Sequence, residues 1–147
     1  TGIESAEVIR AVAETVRPDL VIAVDALASR RASRICRTVQ LADTGIVPGS
    51  GVGNSRAAIN GETLGVRVLA VGVPTVVDAG TLAADIAEQA GIENLAPGSL
   101  ESFGGGMVVT PKEIDSNVSD IAKLVGYAIN LALHPSLTLD DITMFLS

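Results

Sequence analysis

Leu20-Val21-Ile22-Ala23-Val24-Asp25 is the stretch on which the reading of the fold turns. Five aliphatic residues stand in a row and a carboxylate ends the run. A strand with one wet face alternates in polarity. An unbroken run of this length fits a strand covered on both faces, as in a parallel sheet. Upstream, residues 3–16 carry Val8, Ile9 and Val12 on one helical stripe, with Ser5 as N-cap, and Arg17-Pro18 ends that helix. Downstream, residues 26–35 read as weakly helical and residues 38–42 as a short strand with mixed faces. Val66 to Val73 is a second buried strand, closed by Pro74.

Residues 75–79 then lead into a helix over 81–89, with Gly91 as its stop. Residues 92–106 read as a surface loop and residues 107–109 as a short strand. Thr110-Pro111-Lys112-Glu113 has the form of a capping box, with Thr110 as N-cap, and opens a long helix. Its stripe is Ile114, Val118, Ile121, Val125, Ala128, Ile129 and Ala132. His134-Pro135 ends it, and residues 139–146 form an amphipathic tail. The order α, β, β, β, α, β, α predicts an α/β fold. The expected architecture is an open, mostly parallel twisted sheet with helices on both faces, in one domain.

Composition narrows the function. The 147 residues are 48% hydrophobic but only 2% aromatic, so the core is aliphatic. No apolar stretch approaches the roughly 18 residues of a membrane span, and residues 1–16 lack the basic start and apolar block of a signal peptide. A formal net charge of −7 argues against direct nucleic-acid binding. The exception is the cluster Arg30, Arg31, Arg34 and Arg37, whose ordinary explanation is a solvated or salt-bridged helix face. One cysteine, Cys36, excludes an intrachain disulfide. With a single histidine, His134, it supplies too few ligands for a structural zinc site, and no metal or cofactor is expected. Low cysteine usage fits a reducing cytoplasm.

Ligand and catalytic sites in open α/β sheets lie beyond the carboxyl ends of the strands. Asp25 follows a buried strand, where partial desolvation would raise its pKa and suit it to acid/base work. A helix N-cap, or an ion pair with Arg30 or Arg31, explains it equally well. Asp78 stands in the same relation to Thr75-Val76-Val77, and a helix cap is its ordinary explanation. Asp43 opens a glycine-rich loop, where an Asx-turn accounts for it. That loop, residues 43–61, contains Gly49-Ser50-Gly51-Val52-Gly53-Asn54. It lacks the Gly-Lys-Ser/Thr ending of a phosphate cradle and fits a backbone-lined substrate loop better. Ser50 as a nucleophile would need a base, and His134 lies near the chain end. His134 reads as a helix-end residue, and Cys36, though flanked by arginines, as a mostly buried apolar thiol.

Several segments together resemble the germination proteases of spore-forming Firmicutes. Val24-Asp25-Ala26-Leu27-Ala28-Ser29-Arg30 is similar to their "IDALA-R" segment. Residues 40–54 resemble the segment that ends in "PGSGVGN". Glu62-Thr63-Leu64-Gly65 and Pro74-Thr75-Val76-Val77-Asp78-Ala79 match "ETLG" and "PTVVDA", and Val109-Thr110-Pro111-Lys112-Glu113 matches "VTPKE". Thr1-Gly2-Ile3-Glu4 matches as well, and residues 81–107 form a shorter stretch than in the family.

The resemblance implies a fold similar to the hydrogenase-maturation proteases and an atypical aspartic-type endopeptidase. Its substrates would be small acid-soluble spore proteins, cut during germination in the forespore or spore core. It would be made as a zymogen and assemble as a homotetramer. Of the family's two catalytic aspartates, one maps onto Asp25. The other lies upstream of the position matching Thr1, so the resemblance implies a C-terminal portion, with its own N-terminal half as a partner if that half is a separate chain. Asp43, Gly49, Ser50, Gly51, Gly53, Asn54 and Asp78 are the expected substrate-binding residues. Two other readings stay open: a metal-dependent maturation-type protease, and a non-catalytic scaffold that kept the fold.

Overall fold

The computed structural model describes residues 2–50, 57–92 and 106–146. Two compact units divide it, residues 1–110 and residues 111–147. In the first, strand β3 (Arg67–Asp78) is the axis of the sheet. Strand β1 (Leu20–Ser29) runs parallel to it along its whole length, from Leu20 opposite Arg67 to Ser29 opposite Val77. On the other side of β3, β2 (Gln40–Ala42) pairs antiparallel with residues 70–72, and β4 (Val108–Val109) with Val77 and Asp78. The open sheet is therefore mixed: one long parallel ladder with two short antiparallel flanks.

β3 is rich in valine, which suits a pleated, covered surface. Val68, Ala70, Val71 and Val73 are buried and Val77 is 0% exposed. β1 departs from expectation. Among the described residues it pairs on one side only, so it is an edge strand. Val21, Ile22 and Ala23 are half-buried, and Val24 is 55% exposed. It also continues past Asp25 to Ser29, because each residue that extends it still finds a partner on β3. The helix expected over 26–35 shrinks to one 3-10 turn, Ala32–Arg34.

β3 likewise passes through Pro74 where a stop was expected. Leu27 pairs with Pro74 and Ala28 with Val76, so Thr75 is the extra residue of a bulge. A bulge is where a central strand tolerates a residue without an N–H. The Pro74 carbonyl is used from outside the ladder: the Cys36 N–H donates to it at 2.7 Å.

Helix α1 (Gly2–Val16) starts upstream of the expected cap Ser5. Its inward stripe is Ala6, Ile9 and Ala13; Val8, Val12 and Val16 form a separate exposed ridge one position away. The small alanines allow close approach, and Ala6 and Ile9 meet Ile59, Leu64, Val68, Val21 and Ala23 in one cluster. Arg17, at φ 51, ends α1 in the left-handed region with its N–H on the Ala13 carbonyl at 2.8 Å. Helix α2 (Gly61–Leu64) is held by a capping box: Asn60 Oδ1 accepts from the Thr63 N–H at 2.9 Å, and Thr63 Oγ1 from the Asn60 N–H at 3.1 Å. Helix α3 (Ala79–Gln89) ends in a Schellman turn. There Gly91, at φ 70, donates to the Glu88 carbonyl, and Ile92 donates to Ala87.

The second unit is helical. Helix α4 (Ile114–Leu133) has Val125 buried and carries Tyr127. It begins later than expected. Thr110 does not cap it: the Thr110 hydroxyl donates to the Thr75 carbonyl at 3.0 Å, and Glu113 takes the N-cap position without a side-chain bond. Helix α5 (Leu139–Leu146) buries Ile142 and has a capping box the sequence reading passed over. Thr138 Oγ1 and the Thr138 N–H both donate to Asp141 Oδ2, at 2.6 and 2.8 Å. These bonds, the side-chain one first, hold the Asp141 carboxyl below its ordinary pKa.

In the sheet unit, Ile46 and Ile59 form an antiparallel bridge, with N–H to carbonyl distances of 2.9 and 2.8 Å in the two directions. It closes the base of the glycine loop. Gly45, at φ 80, lies directly against the Ile59 carbonyl and Asn60, with no room for a Cβ. Gly65, at φ 66, has nothing within 4 Å of where a Cβ would stand. The two separate backbone strain from crowding. Gly65→Ala should cost about 1 kcal/mol, the left-handed penalty alone. Gly45→Ala should cost at least about 2 kcal/mol, because backbone must also move. Urea melts followed by far-UV circular dichroism measure both, and equal losses would show that the Ile59 contact costs nothing.

Candidate active site

Alternation along a strand puts Val21, Ala23, Asp25 and Leu27 on one face of β1, opposite Val68, Ala70, Gly72 and Pro74 of β3. The start of this face lies under α1 and α2 in the aliphatic cluster. Farther along, cover gives way to a cleft of about 270 Å³. Residues 25–28 of β1 form one wall. Val47, Gly49 and Ser50 of the glycine loop form another, and Thr75 and Val76, at the bulge, complete it.

Gly72 stands opposite Asp25, and the Leu27 side chain fills the place its Cβ would take. The side chain of Asp25 is oriented by its own backbone: the Ala26 N–H donates to Oδ1 at 2.9 Å. Asp25 is half-buried. Its position differs from the expectation in one respect. It lies midway along β1, with four further strand residues after it, rather than at a carboxyl terminus.

The structure brings Asp25, Gly49 and Ser50 to one cleft. Gly49 adopts φ 75, which its lack of Cβ permits, and the Ser50 N–H closes a turn onto the Val47 carbonyl at 3.2 Å. Gly51, Gly53 and Asn54 lie outside the described residues. Asp43 is exposed at the bend after β2 and is not among the described lining residues. Asp78 is the N-cap of α3: Oδ1 accepts from the Thr81 N–H at 2.9 Å and from the Thr81 hydroxyl at 3.3 Å. It too stands apart from the described lining. His134 ends α4 through its backbone, donating to the Asn130 carbonyl at 2.9 Å. Among the described residues, no three His, Cys, Asp or Glu side chains gather closely enough to hold a metal ion.

Leu27, Val47, Thr75 and Val76 are lining residues that the sequence reading did not single out. Pro74 was the usable signal for two of them, since a proline inside a buried strand marks a bulge and displaces its neighbours. Chemically, the described part of the cleft offers one half-buried carboxylate, an exposed hydroxyl and apolar walls. That combination suits proton transfer beside an extended, partly apolar ligand.

A family model described as germination protease matches residues 1–92. The germination protease of Clostridium perfringens strain 13 is 42% identical over 171 aligned positions, covering 100% of this chain and 53% of the relative. That of Caldanaerobacter subterraneus is 45% identical, covering 99% of this chain and 52% of the relative. That of Bacillus pumilus is 36% identical, covering 96% and 53%. The chain spans about half the length of the curated relatives it matches.

The capping geometry of Asp78 leads to a test of its role. Asp78→Ala should lower stability by about 1 kcal/mol, while Asp78→Ser, which can still accept from Thr81, should recover most of it. Urea melts of the two variants decide this, and equal destabilisation by both would remove the capping assignment.

Proposed function

The chain belongs to the germination protease family, and from that premise we propose that it carries one catalytic carboxylate, Asp25, of an endopeptidase. The substrates in this reading are small acid-soluble spore proteins, degraded during germination in the cytoplasm of the forespore or spore core. The enzyme is made as a zymogen and works as a homotetramer. The observation that carries the reading is the half-buried Asp25 in a cleft with Gly49 and Ser50, inside the residues that the family model matches.

Peptide hydrolysis forms a bond from water oxygen to the carbonyl carbon and breaks the C–N bond. An ionised carboxylate takes the proton from water, and a protonated one gives a proton to the leaving nitrogen. Asp25 fills one of these roles. The second carboxylate comes from polypeptide outside these 147 residues. Two facts favour this: Asp25 is the single carboxylate among the described lining residues, and the relatives are about twice as long. Two such groups in proximity titrate as a coupled pair, so a pH profile belongs to the dyad.

Asp25→Asn is nearly isosteric. In the protease reconstituted with its remaining half, it should reduce cleavage of a spore-protein substrate at least about 100-fold and leave the far-UV spectrum unchanged. Cleavage at the normal rate would defeat the assignment.

The same outside polypeptide completes the sheet at β1. A strand edge with unpaired N–H and carbonyl groups recruits another strand. This edge carries exposed Leu20 and Val24 and is paired on one side only among the described residues. Sedimentation velocity should find the 147-residue chain self-associated alone and in a defined complex once the remaining half is added. A cooperative monomer in isolation would overturn the idea.

A further inference from the structure

One bond of the cleft wall comes from far along the chain. Thr75 is the extra residue of the bulge, so no residue of β1 stands opposite it. Thr75 and Val76 are half-buried, between Pro74 and Val77, which are buried. Both line the cleft that holds Asp25. The place of Thr75 therefore depends on the other edge of β3, where β4 runs.

There the antiparallel ladder stops one bond short. The Ala79 N–H donates to the Met107 carbonyl at 3.0 Å, and Val77 stands opposite Val109. Bonded pairs in an antiparallel ladder recur at every second residue. The next one would call for an N–H from position 111 to the Thr75 carbonyl, and position 111 is a proline, with none to donate. The Thr110 hydroxyl makes the bond instead, donating to the Thr75 carbonyl at 3.0 Å. A β-branched side chain, stiff at χ1, suits that task. The other carbonyl of the bulge, that of Pro74, is held by a backbone donor, the Cys36 N–H at 2.7 Å. The carbonyl at the cleft wall relies on a side chain.

We propose that Thr110 is a positioning residue of the Asp25 site. It acts through Thr75: its hydroxyl holds the bulge in the conformation that presents Thr75 and Val76 to the cleft. The inference rests on the endopeptidase reading and adds a residue to its substrate-holding apparatus. Without the Thr110 hydroxyl, the Thr75 carbonyl bonds water and the bulge gains freedom, so a bound polypeptide loses contact with that wall. The wall meets the bound chain before and during bond cleavage alike. Its loss therefore weakens binding uniformly and raises KM rather than lowering kcat.

Thr110→Val keeps the shape of the side chain and removes the donor. In the protease reconstituted with its remaining half, KM for a spore-protein substrate should rise about fivefold, the effect of one neutral hydrogen bond, and kcat should stay within about twofold. Thr110→Ser, which keeps the hydroxyl, should restore KM. Mere destabilisation acts the other way: a smaller folded fraction lowers the apparent kcat and leaves KM alone. The control Thr15→Val removes a bond of the same kind, from the Thr15 hydroxyl to the Ala11 carbonyl at 2.8 Å in α1, and should change neither constant. If Thr110→Val fails to fold, Thr110→Ala loses the same donor and carries the same expectation.

Binding is also read without turnover. Anisotropy of the same spore protein, fluorescein-labelled, on the reconstituted Asp25→Asn protease should show the same loss of about fivefold in affinity when Thr110→Val is added. Unchanged KM and Kd in Thr110→Val overturn the proposal. So does a fall in kcat at constant KM, a Thr110→Ser variant as impaired as Thr110→Val, or the absence of both cleavage and binding. If Asp25→Asn cleaves at the normal rate, the assignment of Asp25 fails and the Thr110 comparison is still read. A normal KM for Thr110→Val in an enzyme that Asp25→Asn inactivates sinks this proposal alone.

Discussion

A proline has no N–H to give, and β3 holds Pro74 where no neighbouring strand needs one. On the edge away from β1, β2 pairs with residues 70–72 and β4 with Val77 and Asp78, and Pro74 stands in the gap between them. Beside it, at Thr75, the register with β1 shifts by one residue. Thr75 and Val76 at that shift line the cleft, and in the gap the Pro74 carbonyl accepts from the Cys36 N–H. The Thr75 carbonyl is in turn available to the Thr110 hydroxyl. One interruption thus organises a wall of the cleft, the anchor of the arginine segment and the approach of the chain to β4.

The cleft owes its room to small residues. Gly72 stands opposite Asp25, and Ala26 and Ala28 flank Leu27. The Leu27 side chain lies over Gly72, where any Cβ would meet it. On the same face nearer the strand start, Val21 and Ala23 are covered by α1 and α2. Closed core and open site share one face, and the difference lies in what stands above them: helices at one end, a turn through Gly49 at the other.

What the sequence made legible were the features set by neighbours along the chain. The aliphatic run of β3, the stop at Gly91 and the cap at Asp78 are local patterns, and each is found. What escaped was decided at long range. Asp25 interrupts an apolar run, yet β1 goes on because β3 lies alongside. Thr110 has the form of a helix cap, yet its hydroxyl reaches a carbonyl thirty-five residues back. Val8 and Val12 outrank Ala6 and Ala13 in hydrophobicity, yet the alanines are the buried ones, and Ala6 packs in the cluster with Leu64 and Val68. The Ile46–Ile59 bridge had no local signature. Asp25, Gly49 and Ser50 were legible as chemistry, and only the fold brings them to one cleft.

The aliphatic composition has an optical consequence. The chain has no tryptophan, and its single tyrosine, Tyr127, lies in α4. Residues 1–110 therefore contain neither fluorophore, although they hold the whole sheet and Asp25. Intrinsic emission reports the helical pair and is blind to the sheet. A dye on the single thiol, Cys36, supplies the complementary signal, because that residue is bonded to β3 at the bulge. Read together, the two colours would tell whether sheet and helices come apart in one transition or in two.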